Sequence, residues 1–136
     1  MSRTWKIILF SAIGVFVLCV AGFVGGIFFV IGKATDAPKA ATADFLSALE
    51  GGNVTAAYGM LCTDVQERYD SAAFAAYVEN NAPTAHKFEW GGSYSNNGGY
   101  EEATISGSVT TKNGTSKHDF QLVKERGAWK QCSNPY

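Results

Sequence analysis

The feature that most constrains this chain is an uncharged run, Ile7 to Gly32, in which 20 of 26 residues are apolar, five are Gly and one is Ser11. About 20 apolar residues at 1.5 Å rise cross the roughly 30 Å of a bilayer's hydrocarbon, so the run can span with some tilt. A cleaved signal peptide would carry an apolar region of only about 7 to 15 residues before a small-x-small site. Gly32-Lys33-Ala34 offers small residues, but the run before it is too long. Cys19, preceded by Leu18 in mid-run, reads as a small apolar residue of a helix rather than a lipidation site. The expectation is a retained transmembrane helix over residues 7–32.

The flanks set its direction. Arg3, Lys6 and the interfacial aromatic Trp5 lie on the short side, whereas Lys33 and Lys39 are interspersed with Asp36 and Asp44. This predicts a cytoplasmic N-terminus over residues 1–6 and an extracytoplasmic domain over residues 33–136, on a single-pass protein of the cell membrane. Within the span, Gly22 and Gly26 are four apart, and Ala21 and Gly25 repeat the spacing. Such small-residue ridges let helices approach closely, so Gly22 and Gly26 are candidates for a helix–helix contact in a homodimer.

Without the span, the 46% hydrophobic content of the whole chain falls sharply. Leu, Ile, Val and Phe make up only 14 of residues 33–136, which allows one domain with a lean core and excludes a multi-domain enzyme. Nine Lys and Arg face 12 Asp and Glu there, so the charge is modest and gives no basic footprint for nucleic acid. With Cys19 in the span, Cys62 and Cys132 remain as an even pair outside. In an oxidising compartment they are expected to form a disulfide that supports the small core.

Hydrophobic period changes once along the domain. Asp36 can cap a helix with Pro38 in its first turn; Ala41, Phe45, Leu46 and Leu49 form the apolar stripe and Gly51-Gly52 ends it. Asn53 can cap a second helix through Val54, Ala57, Tyr58 and Leu61. Thr63 to Gln66 has capping-box spacing, and an Ala-rich helix runs from Ser71 through Phe74, Tyr77 and Val78 to Asn80, Asn81 and Pro83. From Thr84 the pattern alternates. His86, Phe88 and Trp90 share one face, as do Ala103, Ile105, Gly107 and Val109, and then His118, Phe120 and Leu122. Asn96 to Gly99, Asn113-Gly114 and Arg126-Gly127 supply the turns, and residues 128–132 make a fourth strand. The fold class is α+β: a transmembrane helix, then helices packed on a curved four-stranded antiparallel sheet. Strict alternation puts Trp129 and Cys132 on opposite faces, so a disulfide to Cys62 requires a strand end or a bulge.

Two segments carry a family resemblance. Phe45-Leu46-Ser47-Ala48-Leu49-Glu50-Gly51-Gly52-Asn53-Val54-Thr55-Ala56-Ala57-Tyr58 resembles the opening helices of the nuclear-transport-factor-two-like superfamily. Leu122-Val123-Lys124-Glu125-Arg126-Gly127-Ala128-Trp129-Lys130 is similar to its final hairpin, especially in small uncharacterised families tethered to bacterial membranes. Gln131 departs from the apolar residue that commonly follows. The resemblance implies a cystatin-like cone in which helices close over a curved sheet, a shape that hosts enzymes and non-catalytic modules alike. It carries over no catalytic motif.

The chemistry-bearing residues are few. His86 and His118 both fall on apolar faces, so an acid/base pair inside the cone is one reading. No metal-ligand spacing, phosphate loop or nucleophile signature accompanies them, and no cofactor or metal is expected. Tyr58, Phe74, Tyr77, His86, Phe88, Trp90 and Trp129 supply the aromatic area of a candidate pocket. The expectation is therefore a membrane-anchored, non-catalytic binding or interaction module, with an unidentified protein or a small apolar ligand as partner. The alternatives are a small enzyme using His86 and His118, and an envelope assembly protein acting through its transmembrane helix.

Overall fold

Pro83 marks the change from helices to sheet. The structure is a computed structural model that describes residues 35–133. The run Ile7–Gly32 with Gly22 and Gly26, residues 1–6 and the side chain of Trp90 lie outside the described residues. Among the described residues no helix is long and apolar enough to cross a membrane.

Helix α1 covers residues 35–50 and is helical from Thr35, so Asp36 lies within the described helix rather than at a cap. Its end follows from Gly52, whose φ of 77° turns the chain back so that Asn53 N–H donates to the Ala48 carbonyl and Gly52 N–H to that of Leu49. Asn53 then caps α2 (Val54–Gly59), its Oδ1 accepting from Ala56 N–H at 3.2 Å. The expected capping box at Thr63 does not form. The N-cap of α3 (Thr63–Arg68) is Cys62; Thr63 N–H donates to the Glu125 carboxylate, and the Gln66 amide donates to the Tyr58 carbonyl. Asp70 caps α4 (Ser71–Asn81) through Ala73 N–H at 2.7 Å.

Four strands follow as a meander in the order β1-β2-β3-β4, every neighbour antiparallel: β1 (Pro83–Asn97), β2 (Tyr100–Thr111), β3 (Gly114–Glu125) and β4 (Ala128–Gln131). Two-residue loops close all three hairpins: Gly98-Gly99 and Arg126-Gly127, whose four residues have positive φ, the geometry that matches strand twist, and Lys112-Asn113, so the turn expected at Asn113-Gly114 sits one residue earlier and Gly114 pairs with Thr111 as the first residue of β3. Strand β1 is longer than alternation predicts, because a register shift between Phe88 and Gly92 lets it resume pairing up to Asn97.

One face of the sheet packs on the helices. Ile105, Val109, Phe120 and Leu122 meet Phe45, Leu46, Leu49, Leu61, Val65, Phe74 and Val78, all at most 3% exposed, and Ala103 is buried on the same face. The opposite face of β2 presents Thr104, Ser106, Ser108 and Thr110, as alternation requires. Gly107 sits where a Cβ would come within 2.9 Å of the Lys87 carbonyl and 3.3 Å of the Phe88 ring, so the crossing of β1 and β2 depends on its missing side chain.

The disulfide joins Cys62 and Cys132, with Cα atoms 5.2 Å apart. Cys132 reaches it from just beyond the end of β4, which resolves the parity problem by a strand end. Cys62 is brought there by backbone pairing: Gln131 N–H donates to the Met60 carbonyl, Cys62 N–H to that of Gln131, and Leu61 forms a parallel bridge with Gln131.

Candidate functional site

The space between helices and sheet is occupied. Phe74 is 0% exposed and its ring lies 6.5 Å from that of Phe45 and 5.7 Å from that of Tyr58. The Tyr58 hydroxyl is committed to the fold, donating to the Tyr69 carbonyl at 2.9 Å. Tyr77 is half-buried beside this group; burial, with a smaller contribution from Tyr69, pushes its hydroxyl above the ordinary value. Phe45 and Phe74 are core, and Tyr58 and Tyr69 pack against it.

His86 and His118 do share the helix-facing side of the sheet, since His86 is opposite Val109 and His118 opposite Gly107. They stand on β1 and β3 with β2 between, two residues out of step, so strand spacing keeps their backbones roughly 11 Å apart. Their contacts differ as well. His86 Nδ1 meets Glu50 Oε1 at 2.5 Å, at the last turn of α1, while its ring lies 5.2 Å from Phe88. Lys39 Nζ sits 5.6 Å from the centre of the Phe88 ring. His118 Nε2 instead contacts Ser116 Oγ at 2.9 Å. Glu50 is 36 residues from His86, and no local pattern in the sequence pairs them.

Trp129 packs against the core from β4. It lies opposite Lys124, at the end of the sheet formed by the Gly98-Gly99 and Arg126-Gly127 turns. Tyr94 approaches its ring edge-on at 6.3 Å and 69°, and Lys124 Nζ is 5.8 Å from the ring centre. Glu101 ties the set together, accepting from Tyr94 Oη at 2.7 Å and meeting Lys124 Nζ at 3.0 Å. The Tyr94 hydrogen bond, then Lys124, holds the Glu101 carboxyl below its ordinary value. Sequence reasoning singled out Trp129 but missed Tyr94 and Glu101. The signal was present in the Gly98-Gly99 turn, because a two-residue loop places Tyr94 opposite Ala103 and Asn96 opposite Glu101.

The same end carries the two large apolar residues exposed among the described ones, Tyr94 at 39% and Tyr100 at 55%. Beside Tyr100 a groove of about 260 Å³ runs over β2 and β3, with Glu102, Thr104, Gln121 and Val123 among its lining. No three His, Cys, Asp or Glu side chains converge on a metal-sized site among the described residues. Of the seven candidate pocket residues, then, Phe74 lies in the core and Tyr58, Phe88 and Trp129 pack against it, Phe88 beside His86 on β1 and Trp129 at the turn end; Tyr77 is half-buried on α4, and the side chain of Trp90 lies outside the described residues.

No family model and no curated protein matches the chain in sequence. Solved structures do match it in shape. A Campylobacter jejuni protein named as a candidate NTF2-like transpeptidase aligns with a TM-score of 0.51 at 14% identity, over 73% of this chain and 100% of that one. A SEC-C motif-containing protein from Psychrobacter arcticus aligns with a TM-score of 0.52 at 11% identity, over 74% of this chain and 60% of that one. Identities this low establish likeness of fold alone: the described residues adopt the NTF2-like arrangement of helices over an antiparallel sheet.

Proposed function

We propose that the chain is a single-pass, membrane-anchored interaction module whose NTF2-like domain lies outside the cytoplasm and acts by presenting a surface rather than by catalysis. One observation carries the non-catalytic part. The interior, where a cone of this shape would hold a substrate, is filled by Phe45, Phe74 and Phe120, each at most 1% exposed, together with the aliphatic core. The two His stand apart at its rim, whereas exposed aromatic area collects at the turn end of the sheet. The anchor rests on the run Ile7–Gly32, and the outward placement accords with a disulfide of the kind that persists in oxidising compartments.

Two measurements test this. Alkaline phosphatase fused after Tyr136 is expected to be active and a green fluorescent protein fused there dark; the reverse pattern overturns the topology. The full chain in nanodiscs, screened against cell-wall peptide fragments and lipid headgroup analogues, is expected to gain thermal stability with a binder, by about 2.7 kcal/mol at 100 times its dissociation constant. Conversion of a peptide fragment, abolished by His86→Ala or His118→Ala, overturns the non-catalytic reading.

A further inference from the structure

We infer that the turn end of the sheet, bearing Tyr94, Tyr100 and Trp129, docks on the phospholipid headgroup layer of the membrane that holds the chain. This rests on the anchored reading above and adds to it an orientation and a lipid contact.

Chain length supplies the first argument. The uncharged run ends at Gly32, three residues before Thr35. Thr35 Cγ2 would lie 3.7 Å from a Cβ built at Gly92, which places the start of the described helix over that point of β1. Tyr94 is two residues further along the strand, toward the Gly98-Gly99 turn. Three residues extend at most about 11 Å, and each headgroup region is roughly 5 to 8 Å thick. Of the two ends of the sheet, the turn end is therefore the one nearer the start of the described helix, and Tyr94 is the exposed aromatic residue next to that start. The hairpin at Lys112-Asn113 lies at the far end of β2.

Chemistry supplies the second argument. Tyr and Trp prefer the membrane–water interface, where the ring enters the apolar side and the polar atom stays wet. Tyr94 shares the helix-facing side of the sheet with Ala103, and Tyr100 alternates to the other side, so the two straddle one end of it. Lys124 and Glu101 neutralise each other between them, while Arg126 stands exposed at the tip of its turn, suited to a phosphate. The opposite hairpin offers only Lys112, Asn113, Gly114 and Thr115, with no aromatic residue.

The test uses the full chain in phosphatidylcholine–phosphatidylglycerol nanodiscs doped with a lipid whose headgroup chelates gadolinium, read by amide NMR. Amides of Gly98, Gly99, Arg126 and Gly127 should broaden far more than those of Asn113 and Gly114. A Tyr94→Ser/Tyr100→Ser chain, with its fold checked by the Ile105 and Phe120 amide shifts and the intact disulfide, should lose that contrast. Equal broadening, stronger broadening at Asn113, or a contrast unchanged in the double variant overturns the docking. A chain recovered free of nanodiscs overturns the anchor and the docking together, whereas an embedded chain with equal broadening overturns the docking alone.

Discussion

Gln131 donates from Nε2 to Thr42 Oγ1 at 2.9 Å, joining the last strand to the first described helix across 89 residues, with both side chains at most 2% exposed. Thr42 passes the interaction on by donating to the Pro38 carbonyl at 3.0 Å. The other amide atom, Gln131 Oε1, is buried without a hydrogen-bond partner among the described residues. The position where the family resemblance leads one to expect an apolar residue thus holds a half-satisfied amide.

Thr42→Val should accordingly cost about 1–3 kcal/mol, because it leaves the Gln131 N–H group buried and unpaired. Gln131→Met removes the orphan acceptor while Thr42 keeps its bond to Pro38, and should change stability by less than about 1.5 kcal/mol. Urea unfolding midpoints of the two variants, compared at equal m-value, check the ranking. A larger loss for Gln131→Met would contradict it.

The Cys62–Cys132 bridge closes a loop of 70 residues, so its reduction should remove about 4 kcal/mol in the chain-entropy account. For a domain with so few large aliphatic residues that is much of its stability. Denaturant melts of the oxidised chain and of Cys62→Ala/Cys132→Ala give the comparison.

Glu101 should make stability depend on pH in the acid range. Its carboxyl is held below the ordinary 4.5 by Tyr94 and Lys124, so the folded state releases its proton more readily than the unfolded state. That contribution is fully present above the unfolded value and is lost as pH falls through the lower folded one. Any stability gap between the wild type and Glu101→Gln that arises from this ionisation should close over that window. Tyr94→Phe should raise the Glu101 midpoint, read by the carboxyl carbon shift in NMR.

Gly107→Ala should destabilise the domain by about 1–3 kcal/mol, as overpacking does, because backbone rather than a flexible side chain stands in the way of the new methyl group. The same change at Gly59, whose built Cβ meets nothing within 4 Å, should cost far less. Thermal melts of the two variants make the comparison.

The sequence was legible where one local rule decided the outcome. Alternation from Ala103 to Val109 gives β2 its buried face residue by residue, Asn53 caps α2, and the turns at Gly98-Gly99 and Arg126-Gly127 close their hairpins as expected, while the one expected at Asn113-Gly114 falls one residue earlier. It was illegible where distant segments compete for one group. Thr63 has the spacing of a cap, yet Glu125 satisfies its N–H from the end of β3, and Cys62 takes the N-cap position because Gln131 holds its backbone. The aromatic residues show the same limit. Composition marks Tyr58, Phe74 and Trp129 alike, but only the tertiary fold buries Phe74 fully, leaves Tyr58 and Trp129 half-buried against the core, and brings Tyr94 to the edge of Trp129.

The parallel bridge at Leu61 has a consequence for how copies of this domain behave when crowded. A terminal strand offers unpaired amides to any passing chain, and β4 is only four residues long with its last residue, Gln131, already engaged by the turn between two helices. That turn works as a shutter fastened by a covalent bolt. While the bolt is closed, this side of the sheet offers little to another strand, and neighbouring molecules can be packed densely without stitching together along it.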